Sequence, residues 1–143
     1  MNVVGEQQVL NPCAGDLPGA LEHILGPLEL AIMGDIWSNG PASVREVRER
    51  IKDSHIAAYT TIMTVMNRLV GKGLLDAQKT GRAHVYSAAK SREEFLWSAA
   101  GKMVDSLIDD FGDIARARFL LEIDKADPRR LVVIRQLREQ DHD

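Results

Sequence analysis

The chain has 143 residues, of which 45% are hydrophobic, 5% aromatic and 27% charged, with a formal net charge of −3. That length suits one domain or one domain with an appendage; the apolar share excludes a wholly disordered chain, and the scarcity of aromatics weighs against a large aromatic-lined ligand pocket. The single cysteine, Cys13, excludes an internal disulfide and a Cys-rich metal site and fits a reducing cytoplasm.

The first residues lack the charged start and long apolar run of a secretory signal, and no segment approaches the roughly 18 consecutive apolar residues of a membrane span. The protein is therefore expected to be soluble and cytoplasmic, with no membrane partner. Its charge is unevenly spread. Residues 1–40 hold five acids and no Lys or Arg, residues 41–90 hold nine bases against four acids, and residues 91–143 hold nine bases against twelve acids. A basic middle between acidic ends fits either an anionic partner or a solvated helical surface of mixed charge.

Residues 1–24 read as a mobile N-terminal tail, in which Cys13 is an ordinary free thiol. A helix follows from about Pro27 to Ser38, with Pro27 at its first position and "NGP" at Asn39 to Pro41 as its stop. Leu25, Leu28, Ala31, Ile32 and Ile36 form its apolar stripe, and Trp37 plugs the core. Next, "ASVREVRERIKD" opens with the capping-box pair Ser43 and Glu46 and presents Val44, Val47 and Ile51 inward, with Arg45, Arg48, Arg50 and Lys52 elsewhere. A short gap, "DSHIAA", leads to a third helix.

That helix, "AYTTIMTVMNRLVGKG", has an unusual polar face. At about 100° per residue, Ile62, Val65, Met66 and Leu69 share one side. Thr60, Thr64, Asn67 and Gly71 share the other, flanked by Thr61, Met63 and Arg68, with Lys72 just beyond. A solvated helix face is ordinarily rich in Glu and Lys. This one is short-chained, rich in hydroxyls and free of acid, which suits close approach to base edges between phosphates. The alternative is that the threonines simply cover a surface.

"GLLDAQKTGRAHVYSAA" then reads as a β-hairpin, with Gly81 in its turn and a basic tip of Lys79, Arg82 and His84. Helix-turn-helix followed by a hairpin is the winged-helix arrangement, in which the third helix enters the major groove. After it, Ser91 and Glu94 open a long helix with apolar Phe95, Leu96, Ala99, Ala100, Met103, Leu107, Ile108 and Phe111. A shorter helix spans about Ile114 to Ile123, and Asp127-Pro128 starts a last one carrying Leu131, Val132, Ile134 and Leu137. The expected fold is mainly α with a small β-hairpin: a winged helix-turn-helix domain over 25–90 and a helical dimerisation domain over 91–143. Leu96, Met103, Leu107, Ile108, Phe111, Leu131, Ile134 and Leu137 need burial. A second chain would supply it and would set two recognition helices about one DNA turn apart, so a homodimer is preferred over stripes that fold back on their own winged helix.

"LELAIMGDIWSNGPASVREVRERI" and "AYTTIMTVMNRLVGKGLLDAQKTGRAHVYSA" together resemble the penicillinase-repressor (BlaI/MecI) family, most specifically in "TT-I-x-T-V-x-x-RL-x-x-KGLL" and "GRAHVY". The likeness covers about Leu25 to Ala89; the later helices are similar in character only. It implies a dimeric winged-helix repressor of a palindromic operator, that is, double-stranded DNA carrying an inverted repeat. It further implies a recognition helix from Tyr59 through Gly71, in which Thr60, Thr61 and Thr64 face DNA and Arg68 and Lys72 lie near the backbone. Met63 stands where well-known members are often basic, and Ala58 where a capping serine often sits. The wing corresponds to Arg82 and His84, and Ser43 to a phosphate contact. The resistance repressors of the family are released by a regulatory protease at an Asn-Phe bond, which this chain lacks. It also lacks the C-terminal cysteines of the copper-sensing relatives.

A winged-helix protein-interaction module without specific DNA binding is the alternative from another class, motivated by the acidic ends. An enzyme is not expected. His23, His55, His84 and His142 sit in no nucleophile or metal spacing, His55 beside Glu49 would be a surface pair, and no phosphate loop or cofactor motif is present.

Overall fold

Proline and glycine set the two ends of the first helix. In a computed structural model, which describes residues 19–22 and 24–140, helix α1 spans Pro27–Asn39. Pro27 presets the helical φ at its first position, and the Glu29 carboxylate accepts the Gly26 N–H at 3.3 Å. The helix stops at Gly40, where φ is 87° and the N–H donates to the Ile36 carbonyl at 2.8 Å. Helix α2 spans Val44–Ile51 and has the expected capping box: the Glu46 N–H donates to the Ser43 hydroxyl and the Ser43 N–H to the Glu46 carboxylate, each at 3.2 Å. Helix α3 spans Tyr59–Gly71, with Ala58 at its N-cap and no side-chain cap.

The hairpin pairs β1 (Leu75–Thr80) with β2 (Ala83–Ala88) antiparallel, from Leu75 opposite Ala88 to Thr80 opposite Ala83. Gly81 takes the positive φ, 65°, that its two-residue turn requires. Beyond it come α4 (Arg92–Phe111), α5 (Asp113–Lys125) and α6 (Pro128–Gln140). The Glu94 N–H donates to Ser91 Oγ at 3.0 Å ahead of α4, and the Arg129 N–H donates to Asp127 Oδ1 at 2.9 Å ahead of α6. Gly112, at φ 55°, separates α4 from α5.

The chain forms two compact units, Gly19–Trp97 and, among the described residues, 98–140. In the first, α1, α2 and α3 bury Ile32, Met33, Ile36, Val47, Ile62, Met66 and Leu69 against Leu74, Leu75 and Tyr86 of the hairpin region. Each such side chain contributes on the order of 1.5–3 kcal/mol relative to exposure. The α1 stripe differs from expectation. Met33 is fully buried although it lies outside the stripe, whereas Leu28 and Ala31 are only half-buried. This helix packs on α2, α3 and β2, so more than one of its faces is covered.

The unit also reaches past its expected limits. Phe95, from the first turns of α4, is buried in its core, and the Trp37 ring lies 6.1 Å from the Phe95 ring, while Trp37 Nε1 donates to the Lys90 carbonyl at 3.0 Å. These contacts carry the unit through Trp97 rather than ending it at residue 90. Trp37 itself is half-buried against the core. At the other end, Leu21 and Ile24 pack against the core in a turn closed by Leu25 N–H to Leu21 carbonyl at 2.8 Å, so the tail assigned to 1–24 does not extend over them. Residues 1–18, including Cys13, and both His23 and His142 lie outside the described residues.

One tyrosine ties the hairpin to the helices. Tyr86 and Ala42 exchange backbone N–H···O bonds at 2.9 Å each, adding a bridge from the α1–α2 loop to the sheet. The Tyr86 hydroxyl, at the end of a 3%-exposed side chain, donates to Asn67 Oδ1 on α3 at 2.8 Å. Burial raises the phenol above its ordinary pKa, and neighbouring Tyr59 adds to the rise, so the group stays a neutral donor at physiological pH. Tyr86→Phe removes that bond while keeping the ring. It should lower unfolding free energy by about 1 kcal/mol in urea titration, with little change in the slope of the transition.

Candidate nucleic-acid interface

The acid-free side of α3 is the exposed side. Tyr59, Thr60, Thr61, Thr64, Asn67 and Arg68 are exposed; Ile62, Val65, Met66 and Leu69 are buried; Met63 is half-buried. Thr60, Thr61, Thr64 and Arg68 line one shallow depression with Val65. The Thr64 hydroxyl donates to the Thr60 carbonyl at 2.8 Å, which settles its rotamer and leaves its lone pairs and methyl outward from the helix backbone. Asn67 spends its amide oxygen on Tyr86, and its two N–H donors have no partner among the described residues.

A second concavity collects the remaining predicted groups. Ser43 at the start of α2, Tyr59 and Met63 on α3, and Arg82 and His84 on the wing line a cleft of about 350 Å³ together with Arg45, Val44, Ala83 and Tyr86. Residues as distant in sequence as Ser43 and Tyr86 meet here because the Ala42–Tyr86 bridge draws the start of α2 onto the sheet. Neither concavity is lined by an acid.

The bases of the basic middle segment fall into two groups. In one group, Arg50 lies 3.5 Å from Asp35 and 3.2 Å from Glu46, Lys52 pairs with Glu49, and Arg48 Nε donates to the Ala57 carbonyl at 3.1 Å. Lys72, expected near a DNA backbone, is held 2.8 Å from Glu29 of α1. Burial opposes ionisation of Glu29, but the hydrogen bonds from Lys72 and the Gly26 N–H outweigh it and hold the carboxyl below its ordinary pKa. By contrast, among the described residues Arg45, Arg68, Lys79, Arg82 and Lys90 form no ion pair. Arg45 was not singled out from the sequence, because position in a helix says nothing about which helical base a distant hairpin will approach. His55 Nδ1 meets Ser54 Oγ at 3.1 Å rather than Glu49.

The helical unit leaves a broad apolar surface. Met103 is 51% exposed and Phe111 57%, and Leu107 and Ile134 are exposed as well, while Ile108, Leu131 and Leu137 are half-buried. Leu96, counted with this group from its spacing, is already covered in the single chain at 7%. Periodicity missed the two most exposed, Ile114 at 70% and Leu120 at 63%. Among the described residues no cluster of three or more His, Cys, Asp or Glu could hold a metal, and no helix is long and apolar enough to cross a membrane.

Glu46 carries a pH signature of this site's scaffold. Hydrogen bonds from the Ser43 N–H and hydroxyl, with Arg50 adding, hold its carboxyl below the ordinary 4.5. A depressed carboxylate stabilises the fold above the unfolded pKa, and that contribution is lost as pH falls through the lowered folded value. Thermal melts should therefore show stability falling as pH drops below about 4.5, and Glu46→Gln should flatten part of that fall.

Residues 25–140 match the family profile described as Penicillinase repressor. The likeness continues past Ala89 into the three C-terminal helices. The transcriptional regulator BlaI of Mycobacterium tuberculosis is 43% identical over 84 residues, 58% of this chain and 59% of that protein. The penicillinase repressor of Bacillus licheniformis is 29% identical over 68 residues, 48% of this chain and 53% of that protein. The matched stretch thus spans little more than half the length of these relatives. Among solved structures, the chain is similar to the Bacillus licheniformis BlaI monomeric form in complex with the blaP half-operator, at 28% identity over 49% of this chain and 85% of that one, with a TM-score of 0.43.

Proposed function

The chain belongs to the penicillinase-repressor family, and from that premise we propose that it is a homodimeric, sequence-specific DNA-binding transcriptional repressor whose α3 enters the major groove of an inverted-repeat operator. The observation that carries this reading is the sorting of charge. The two concavities formed by α3, the start of α2 and the wing are lined by no acid and hold Arg45, Arg68 and Arg82, which form no ion pair among the described residues, while Arg50, Lys52 and Lys72 are ion-paired. An unpaired guanidinium beside a short-chained polar helix suits a polyanion that must come close. The names of the relatives, a transcriptional regulator and a penicillinase repressor, agree with it.

In this reading Thr60, Thr61 and Thr64 meet base edges, where a hydroxyl bonds to an acceptor or donor and a methyl touches a thymine methyl. Tyr59, Met63 and Asn67 border that contact. Arg68, Arg82, His84 and the Ser43 hydroxyl meet phosphates and sugar, which set register without reading sequence. Lys72 joins them only by leaving Glu29. Met103, Leu107, Ile108, Phe111, Leu131, Ile134 and Leu137 pack against a second chain, because a single chain leaves Met103, Leu107, Phe111 and Ile134 exposed and the other three half-covered, at a cost of roughly 25 cal/mol for each Å² left uncovered. With no Asn-Phe bond in the chain, release from DNA does not proceed by cleavage at such a bond.

Selection of genomic fragments by the purified protein at near-physiological salt should recover one inverted repeat, with affinity falling steeply as salt rises. Thr64→Glu, at an exposed position, should keep the fold and weaken operator binding by at least about a hundredfold, since a carboxylate would face the phosphates. Recovery of no DNA would leave the interaction-module reading. For assembly, Phe111→Asp should convert a dimer at micromolar concentration to a monomer in sedimentation velocity, with the winged-helix unit still folded by circular dichroism. A variant that sediments as the wild-type dimer would reassign the interface.

A further inference from the structure

We propose that Arg45 and Arg82 together grip one DNA backbone phosphate, forming a sequence-independent clamp between α2 and the wing that anchors the recognition helix. The clamp rests on the repressor reading and adds a residue and a role to it.

Arg45 breaks a local rule. It is the second residue of α2, in the first turn, where the helix macrodipole disfavours a cation. Among the described residues no acidic partner offsets that. The other three α2 bases are engaged, Arg48 with the Ala57 carbonyl, Arg50 with Asp35 and Glu46, and Lys52 with Glu49. Arg45 alone among the α2 bases has no side-chain partner among the described residues, and it is exposed. The acid beside it is already occupied, since one Glu46 oxygen takes the Ser43 N–H and the other takes Arg50. A residue that costs its helix stability and has no side-chain hydrogen bond or ion pair among the described residues fits a role outside the chain.

Its surroundings name the ligand class. Arg45 lines the same cleft as Arg82 and His84 of the wing, the Ser43 hydroxyl and the Tyr59 ring, and no acid lines it. Two arginines lining one open cleft repel each other unless an anion sits between them. Their planar forks suit the paired oxygens of a phosphodiester. The cleft borders the N-terminal end of α3 through Tyr59, so a phosphate held there would fix how deeply the helix sits.

The test is fluorescence anisotropy of the full-length protein on its selected operator and on a scrambled duplex of equal length, across a salt series. Arg45→Gln should weaken binding to both duplexes by the same factor, about tenfold, while the salt slope should fall by about one only when Arg82 is replaced as well, since either guanidinium alone still neutralises the shared phosphate. Its melting temperature should equal or exceed that of the wild type, because a first-turn cation has gone. Arg45→Lys should keep the slope. The double variant with Arg82→Gln should lose less than the sum of the two single losses, as expected when both side chains hold one group. Unchanged affinity in Arg45→Gln would overturn the clamp. A loss confined to the operator would overturn it too, by making Arg45 a base contact. Additive losses would overturn the shared phosphate. If the wild type itself shows no salt-dependent DNA binding, the repressor reading falls and the clamp with it, an outcome that the wild-type titration alone identifies.

Discussion

The bond set around Tyr86 is the constraint on which the surface of the first unit depends. Its backbone is bridged to Ala42, which leads directly into α2, and its hydroxyl is bonded to Asn67 in the middle of α3. An isolated two-stranded hairpin is marginal in water. Here the hairpin is held by a third backbone pairing and by a buried phenol, so the wing stands at a set distance from the starts of α2 and α3. The cleft between them exists because of that distance. Remove the tie, and Ser43, Arg45, Arg82 and His84 belong to elements with no reason to stay together.

Charge then does what packing permits. The middle of the chain is basic, but it contains enough acids, with Glu29 and Asp35 from α1, to pair several of its bases internally. None of those paired residues lines either concavity. Exposed ion pairs contribute little to stability, so their more telling effect is on where positive potential remains. It remains along Arg45, Arg68, Lys79 and Arg82. The helical unit has a different character, with acids and bases in balance over 98–140 and an exposed surface that is apolar over much of its extent. Unpaired guanidiniums on one unit and an exposed apolar face on the other are the two features that the proposed twofold repressor requires.

Particular residues mark how far the sequence could be read. The Ser43/Glu46 box, Pro27, Gly40 and Gly81 carry their structural meaning in local chemistry, and each stands where its residue type demanded. The exposed and buried sides of α3 also followed from spacing, since its one apolar stripe meets one core. Met33 did not follow, because α1 is covered on more than one side and a single-stripe reading cannot register that. The unit's true end at Trp97 was hidden for a related reason: Phe95 reads as the start of a long amphipathic helix, and only the nearby ring of Trp37 shows that it belongs to the earlier core.

The sequence by itself determined the order of elements, the winged-helix class, the hydroxyl-rich acid-free helix face and the likeness to penicillinase repressors, because capping, turn chemistry and helical periodicity act over a few residues. Only the tertiary structure decided which bases are free. Lys72 and Arg68 lie four residues apart on one basic stretch, yet Lys72 is held by Glu29, 43 positions earlier, and Arg68 is not. Arg45 and Arg50 share one short helix, yet one is paired and the other opens onto the wing. Pairing between charges is settled by distances in space, and those distances are set by the packing of elements that the local pattern leaves unrelated.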